Sequence, residues 1–556
     1  MSRLSELILS RLEERHDTPQ ITVLRRSGVP LDLSGAHLHA AAMSLAASWQ
    51  DRLGPGPHTL VLALSAGERF LTALLAGLLA GHTIVPVALP RGGSQSERLR
   101  HIVRDCGASV VFCEETSRDP IARHLVDGGT SEPTCPFVTL DDDTAVPVTR
   151  FQQDDTPRPA VIQYTSGSTR LPKGVRIFGD QILANGDLVA RCWDMNPATR
   201  FVNWLPHFHD MGLMGGILYP LLTGAYSVQM SPLEMVRRPA TWLRAISDHR
   251  ATFSGGPAFA FSDCLRRITE EECEGLDLST WRRGFCGAEP VPADLLPQFR
   301  RRFQPYGLDP KAVFACYGLA EMTLYAAGGP EPEGDLPTHP SGCSSVHPCA
   351  LPEETRANLR IVDPETGHGV ADGRQGEIWL KGPSKGDGYQ NLPDETASTF
   401  AATLPGDDGP GGWLRTGDLG VIENGLLYVN GRLKDTLIVN GRKIAAAELE
   451  WLAGGIHASL NPLAAAAISP DPSESGVAAL LIELKPGYEG PRDPGAVRSA
   501  IERAVLGEWG IRLEDVRILA RGSLERTSSG KIRRQAAAEF YRRDRCQQQS
   551  DKVLSA

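Results

Sequence analysis

The sequence has no closely spaced cysteine pair. Its eleven cysteines stand singly between Cys106 and Cys546, with no CxxC, and no histidine pair follows Cys343 and Cys349 at zinc-like spacing. Scattered buried or free thiols are the expected reading. An excess of basic residues is also missing. Lys and Arg number 57 against 67 Asp and Glu, a formal net charge of −10. A mildly acidic chain lacks the electrostatic footprint of a nucleic-acid binder. No apolar run of membrane length is unbroken. The most apolar stretch, from Phe70 to Pro90, is interrupted by Gly77, Gly81, His82 and Pro86. It reads as a helix followed by a buried strand rather than a transmembrane segment. The first residues, MSRLSELILSRLEERHD, place charges between the apolar positions. They predict an amphipathic helix and not a signal peptide. A Walker A string, GxxxxGK[ST], is absent, and no internal repeat is visible. These absences together predict a soluble, cytoplasmic chain.

What is present is ordinary globular composition: 41% hydrophobic and 22% charged residues over 556 positions. At roughly 100–200 residues per domain, that length predicts two to four units. The runs TLVLAL (59–64), Thr83 to Ala88, SVVFC (109–113) and AVIQY (160–164) read as strands, with helical patterns near Arg69 to Leu79 and in SERLRHIVRDCG. Strands alternating with helices indicate an α/β domain with parallel pairs. Two segments, Asp119 to Pro159 and Gly328 to Thr355, carry the composition of surface loops. Beyond them NLRIVD, GEIWLKG, GLLYVNG and TLIVNG suggest a strand-rich subdomain. From about Thr436 onward helices and strands alternate over a length sufficient for a small domain, and only the last few residues read as a disordered tail.

The strongest local signal runs from Tyr164 to Val175, YTSGSTRLPKGV, directly after an apolar strand. Gly167 and Gly174 let backbone amides approach a ligand. Thr165, Ser166, Ser168 and Thr169 offer hydroxyls, and Lys173 offers a positive charge. Such a loop suits polyphosphate.

The string resembles the phosphate loop of the adenylate-forming superfamily: acyl-CoA synthetases, peptide-synthetase adenylation domains and luciferases. The common form has Gly where this chain has Arg170. The wording is most similar to the fatty acyl-AMP ligase branch. So are WLPHFHDMGL (204–213), GAEP (287–290), YGLAEMTL (317–324), WLRTGDLG (413–420), GRLKD (431–435) and TSSGKIRR (527–534), which follow in family order.

The resemblance implies a fold of α/β class. A large domain, 1–434, would hold α/β subdomains plus the strand-rich one, and a small α+β domain, 435–556, would be joined by a hinge at Asp435. It implies ATP and Mg2+ as cofactors, with the loop from Thr165 through Gly167 to Lys173 on the β- and γ-phosphates. Glu321, with Thr165, would hold the metal ion, since Mg2+ is a hard cation suited to oxygen ligands. Tyr317 would stack on adenine beside Gly318, with Gly287, Ala288 and Glu289 lining the base. Asp418 would accept from the ribose hydroxyls, a task a carboxylate performs well, and Arg432 would join it. Lys531 would be the catalytic lysine bridging the attacking carboxylate and the α-phosphate. His209 would lie beside the acyl carboxylate, while the neighbouring His207 and Asp210 form too short a cluster to make a metal site.

Substrate and acceptor are less marked. Asp210 lies close to where amino-acid-activating relatives place an Asp, so it does not by itself exclude an amino acid, but HDMGL resembles the fatty-acid branch. Gly212, Gly215, Gly216, Gly255 and Gly256 either leave room for an acyl tunnel or serve close packing. The resemblance implies transfer of the acyl group to the phosphopantetheine thiol of an acyl carrier protein, with an acyl-CoA synthetase, or an aryl- or amino-acid adenylating enzyme, as alternatives. The stretch AATLPGDDGPGG (401–412) and the loop before Ile361 fit that branch. No carrier-like Asp-Ser-Leu follows Lys531, so a separate carrier chain is expected. Arg533, Arg534, Arg542, Arg543 and Arg545 either meet an acidic carrier or form a solvated helix face. After the hinge, GRKIAAAELE lacks the Pro usual in the family, in a segment that faces the site in the thioester-forming state.

Overall fold

The computed structural model describes residues 2–25, 28–54, 56–90, 93–125, 135–140, 157–165, 171–331, 346–407, 409, 412–439, 442–470, 477–485, 493–526 and 532–554. The amphipathic start forms the helix Arg3–Glu14, capped by the Ser2 side chain, with Leu4, Ile8 and Leu12 on its buried stripe. The apolar stretch at 70–90 resolves into the helix Glu68–Leu79 and the strand Thr83–Pro86, as its glycines and proline require. Among the described residues no helix is long and apolar enough to cross a membrane.

Two large sheets dominate. One has seven strands among the described residues, ordered Gly388–Tyr389, Gly174–Ile177, Val161–Tyr164, Thr83–Pro86, Thr59–Ala63, Val110–Cys113 and Phe137–Thr139. Its central members run parallel and are buried along their whole length, hence their continuous Val/Ile/Leu runs. The other has thirteen strands among the described residues. Its parallel centre, Arg200–Asn203, Phe253–Pro257, Arg283–Gly287 and Val313–Gly318, leads into an antiparallel wing of Leu426–Arg432, Leu414–Glu423, Gly376–Leu380 and Leu359–Val362. Of the expected strand-rich region, NLRIVD, GEIWLKG and GLLYVNG form this wing, hydrogen-bonded into the large sheet, whereas TLIVNG pairs in a separate hairpin.

After Asp435 come a hairpin, Thr436–Val439 with Arg442–Ala445, and a three-stranded sheet of Leu460–Ile468, Ala479–Leu484 and Asp515–Leu519. Helices Ala446–Gly455 and Pro494–Trp509 pack on it through a core of their own that includes Leu449, Leu480, Ile501 and Val505. Three loop expectations are corrected. The segment 119–159 contains most of the helix Arg118–Leu125 and the strand Phe137–Thr139, since Ile121 and Leu125 bury against the sheet. The segment 328–355 contains the strand Cys349–Ala350, which fits between two strands of the large sheet. The expected tail is helical as far as Leu554.

Candidate active site

Where the parallel strands of the large sheet end, their C-terminal edges line a cavity of about 720 Å³. This is the usual place for a ligand in an open α/β sheet. Thr165, His209, Ala288, Glu289, Tyr317, Gly318, Glu321, Asp418, Arg432 and Asp435 all face it, with Lys173 at one end. The residues after Asp435 contribute Ala445 to Ala447, Glu450, Trp451 and Arg533 to its opposite wall. Of the expected site residues, Ser166, Gly167, Ser168, Thr169 and Lys531 lie outside the described residues. Gly287 does not reach the cavity. A Cβ there would stand 2.5 Å from the carbonyl oxygen of Cys316, so this glycine serves strand-to-strand approach.

The polar end is organised by Asp418. Strand register sets Asp418 opposite Arg432. Arg432 Nε lies 3.2 Å from Asp418 Oδ1, while the buried Tyr317 hydroxyl donates to Oδ2 at 2.7 Å. Each carboxylate oxygen still has a lone pair to offer. The Asp418 charge, acting against burial, holds the Arg432 guanidinium above its ordinary range. Burial and the nearby Arg432 push the Lys434 ammonium down. Two backbone positions at this site are strained. Ala288 at φ 67° and the buried Thr323 at φ 66° sit in the left-handed region without being glycine.

The apolar end begins at His209. Its Nδ1 lies 2.6 Å from Asp210 Oδ1, and the Met211 N–H donates to the same oxygen at 2.7 Å. A wide π-helical turn, Met211–Leu218, follows. Gly212 permits it, since a Cβ there would stand 2.1 Å from the Pro206 carbonyl oxygen. Trp193, Met195, Phe201, Phe253 and Phe285 also line the cavity. The candidate tunnel glycines divide. Gly215 lines the cavity, but the space over Gly216, Gly255 and Gly256 is filled by Asn203, Phe285 and Trp204. His207 is a core residue: burial lowers its pKa to about 4, and its Nε2–H donates to the Leu64 carbonyl at 2.9 Å. Among the described residues no cluster of three His, Cys, Asp or Glu could hold a metal ion.

A family model described as AMP-binding enzyme matches residues 13–390. The chain belongs to this family. The AMP-binding enzyme is 32% identical over 548 residues to the long-chain-fatty-acid–AMP ligase FadD28 of Mycobacterium tuberculosis, with 93% of each chain covered. Among solved structures it is similar to a chain from a study of fatty acyl-adenylate ligases from E. coli and L. pneumophila. The TM-score is 0.82 at 28% identity, with 98% of both chains covered. A fatty acyl-adenylate ligase from L. pneumophila in complex with acyl adenylate and pyrophosphate gives a TM-score of 0.70 at 28% identity, covering 97% of this chain and 95% of that one.

The AMP-binding enzyme also makes contacts that no sequence motif flagged, and brings in Tyr389 and Glu395. Tyr389, on a short strand paired with Gly174–Ile177, donates its hydroxyl to Glu321 Oε1 at 2.8 Å. Its ring lies 5.1 Å beneath the Lys173 ammonium. Lys173 in turn pairs with Glu395 on the helix Pro393–Phe400. At the start of the last helix, Arg534 forms a fork. Its Nη1 meets Asp435 at 2.8 Å, and its Nε and Nη2 meet both oxygens of the buried Glu450, each at 2.8 Å. The alignment of GRLKD with KIRR gives no hint of this contact, because 99 residues separate Asp435 from Arg534.

Proposed function

We propose that this enzyme activates a fatty or related carboxylic acid with ATP to acyl-AMP, releasing pyrophosphate. It then passes the acyl group to the phosphopantetheine thiol of a separate acyl carrier protein. The observation that carries the reading is one cavity lined both by the bonded group Asp418, Arg432 and Tyr317 and by a cluster of aromatics, Trp193, Phe201, Phe253 and Phe285, together with His209. Such a shape suits a nucleotide joined to an apolar acid.

The acid's carboxylate attacks the α-phosphate, and pyrophosphate leaves. Both reactants are anions, so the enzyme's task is alignment and local neutralisation. Asp418 and Arg432 grip the ribose, Tyr317 lies under the base, and Lys173 faces the polyphosphate. Asp210 is already held by His209 and the Met211 amide. That engagement favours an acid without an α-ammonium group. The donor set for Mg2+ fits: Glu321 keeps an oxygen beyond the one bound by Tyr389, and Thr165, whose hydroxyl donates to the Lys173 carbonyl at 3.4 Å, lines the same cavity and keeps its oxygen lone pairs. A Mg2+ ion needs only one or two such protein oxygens beside phosphates and water. When bound it would neutralise charge on the polyphosphate.

Residues 1–434 act as the nucleotide-binding body and 435–556 as a mobile unit turning at Asp435, with Lys531 delivered from the latter. Arg542 and Arg543 are left for an acidic carrier, since Arg533, Arg534 and Arg545 are paired within the chain. The absence of a membrane-crossing helix among the described residues accords with action in the cytoplasm.

The test is an acid panel with mass detection of acyl-AMP, run with CoA and a carrier protein as competing acceptors. Acid-dependent ATP–pyrophosphate exchange is expected, falling by at least about 100-fold in Lys531→Ala. No exchange with any acid would refute the reading, and efficient acyl-CoA formation would assign CoA as the acceptor instead.

A further inference from the structure

Arg98 has no role in the functional reading above, yet it lines the same cavity as Thr165 and Lys173. It sits on the helix Gly93–Asp105, which backs the phosphate end of the site. His101 on that helix donates to the Pro172 carbonyl at 3.0 Å, and Asp105 accepts from the Tyr164 hydroxyl at 2.6 Å. The helix is thus pinned to both flanks of the Tyr164–Val175 segment. The Arg98 guanidinium is half-buried, and among the described residues it forms no hydrogen bond or ion pair. A half-buried guanidinium without an acceptor is costly, and such groups are normally paired.

The other wall of the cavity supplies a second guanidinium. Arg533 belongs to the small unit and is tethered to Glu525, both through its backbone N–H to the Glu525 carbonyl and through Nη1 to Glu525 Oε2 at 2.9 Å. It too faces the cavity. The two cations sense one another: burial first, then Arg533, pushes the Arg98 guanidinium below its ordinary range. Like charges carried by two separate units oppose closure of one on the other. A multivalent anion between them would turn that repulsion into attraction.

We propose that Arg98 and Arg533 form a two-unit clamp for a polyphosphate, the tail of ATP and then the pyrophosphate released from it. The clamp makes closure of the small unit conditional on polyphosphate. The inference rests on the adenylation reading above. A phosphate ester has the same chemistry whether it comes from the nucleotide or from a phosphopantetheine arm, and the observations favour the nucleotide, because the helix of Arg98 bonds through His101 to Pro172, next to Lys173.

The experiment is calorimetric titration of the full-length protein with pyrophosphate, AMP and phosphopantetheine as separate ligands. The wild type is compared with Arg98→Gln, Arg98→Lys and Arg533→Gln. Loss of one charge-assisted contact predicts pyrophosphate binding weaker by about 10-fold or more in Arg98→Gln and in Arg533→Gln, with partial recovery in Arg98→Lys and AMP binding unchanged. Unchanged pyrophosphate affinity overturns the clamp. So does a loss confined to phosphopantetheine, or an equal loss for AMP. If Arg98→Gln does not fold, Arg533→Gln on its exposed tether decides the matter. Direct binding keeps the two readings separate: wild-type protein that binds pyrophosphate but shows no acid-dependent exchange refutes the adenylation reading and leaves the clamp standing.

Discussion

Replacing Arg534 with alanine removes the fork that ties the start of the last helix to Asp435 and Glu450. Glu450 is 5% exposed, and without the guanidinium it would keep only the Ala467 N–H, at 2.9 Å. Stranding one member of a buried pair costs about 3–5 kcal/mol. The Arg534 side chain itself retains 28% exposure, so water can reach part of the gap and the lower end applies. About 3 kcal/mol in a unit of this size lowers its melting temperature by on the order of 10 °C. Function should suffer beyond stability. Arg534 begins the helix that follows the Lys531 segment, and Asp435 is the turn on which the small unit would swing. On the proposed reading the small unit delivers Lys531, so losing their contact should slow adenylation, and misplacement of this kind can cost about 100-fold. The assay pairs differential scanning calorimetry with separate rates for adenylate formation and for transfer from preformed adenylate. The double variant Arg534→Met, Glu450→Leu removes the buried charge and should regain most of the stability while adenylation stays impaired, because the Asp435 contact is still gone. A thermal transition unmoved in Arg534→Ala, or equal losses in the two half-reactions, would refute the reasoning.

Two further outcomes are expected. Tyr389→Phe keeps the ring beneath Lys173 but deletes the hydroxyl that orients Glu321, so Mn2+ titrated as a paramagnetic probe in the presence of ATP should bind about 10-fold more weakly, with ATP binding without metal unchanged. Burial, with Glu508 adding, pushes the Glu448 carboxyl up to about 7 from an ordinary 4.5. Between those values the folded chain holds a proton that the unfolded chain has lost, so stability is full below about pH 4.5 and falls as pH rises toward about 7. The melting temperature of the small unit should drop between about pH 5 and about pH 7.5, and Glu448→Gln should flatten that slope.

The parts of the fold and site that could be read in advance are those written in contiguous strings. Thr165 to Lys173 and Tyr317 to Glu321 are each contiguous in the sequence, so composition and order carry the resemblance without a third dimension. Helices such as Arg3–Glu14 and buried strands such as Val110–Cys113 follow from periodicity. Pairings across the chain could not be read. Tyr389 reaches Glu321 over 68 residues, and Arg98 lies on a helix whose amphipathic pattern accounts for its presence without a ligand. Glycine was ambiguous for a physical reason. A missing Cβ makes space either for a ligand or for a neighbouring backbone or side chain, and at Gly216, Gly255 and Gly256 the protein's own atoms occupy it. The loop-like composition of 328–355 misled in the same way, since Cys349–Ala350 is held in the sheet by its neighbours rather than by its own propensity.

The position of the turn at Leu433–Asp435 has a mechanical corollary. Three residues, spanning at most about 10 Å, join Arg432 at the end of a strand in the thirteen-stranded sheet to the start of the small unit. The fulcrum therefore stands beside the load. On the proposed reading, rotation about it would carry distant atoms of the C-terminal helix through a wide arc while the Asp418–Arg432 pair, set in strand register beside the axis, would scarcely move. Such a lever would exchange one catalytic face for another without loosening its hold on the adenylate.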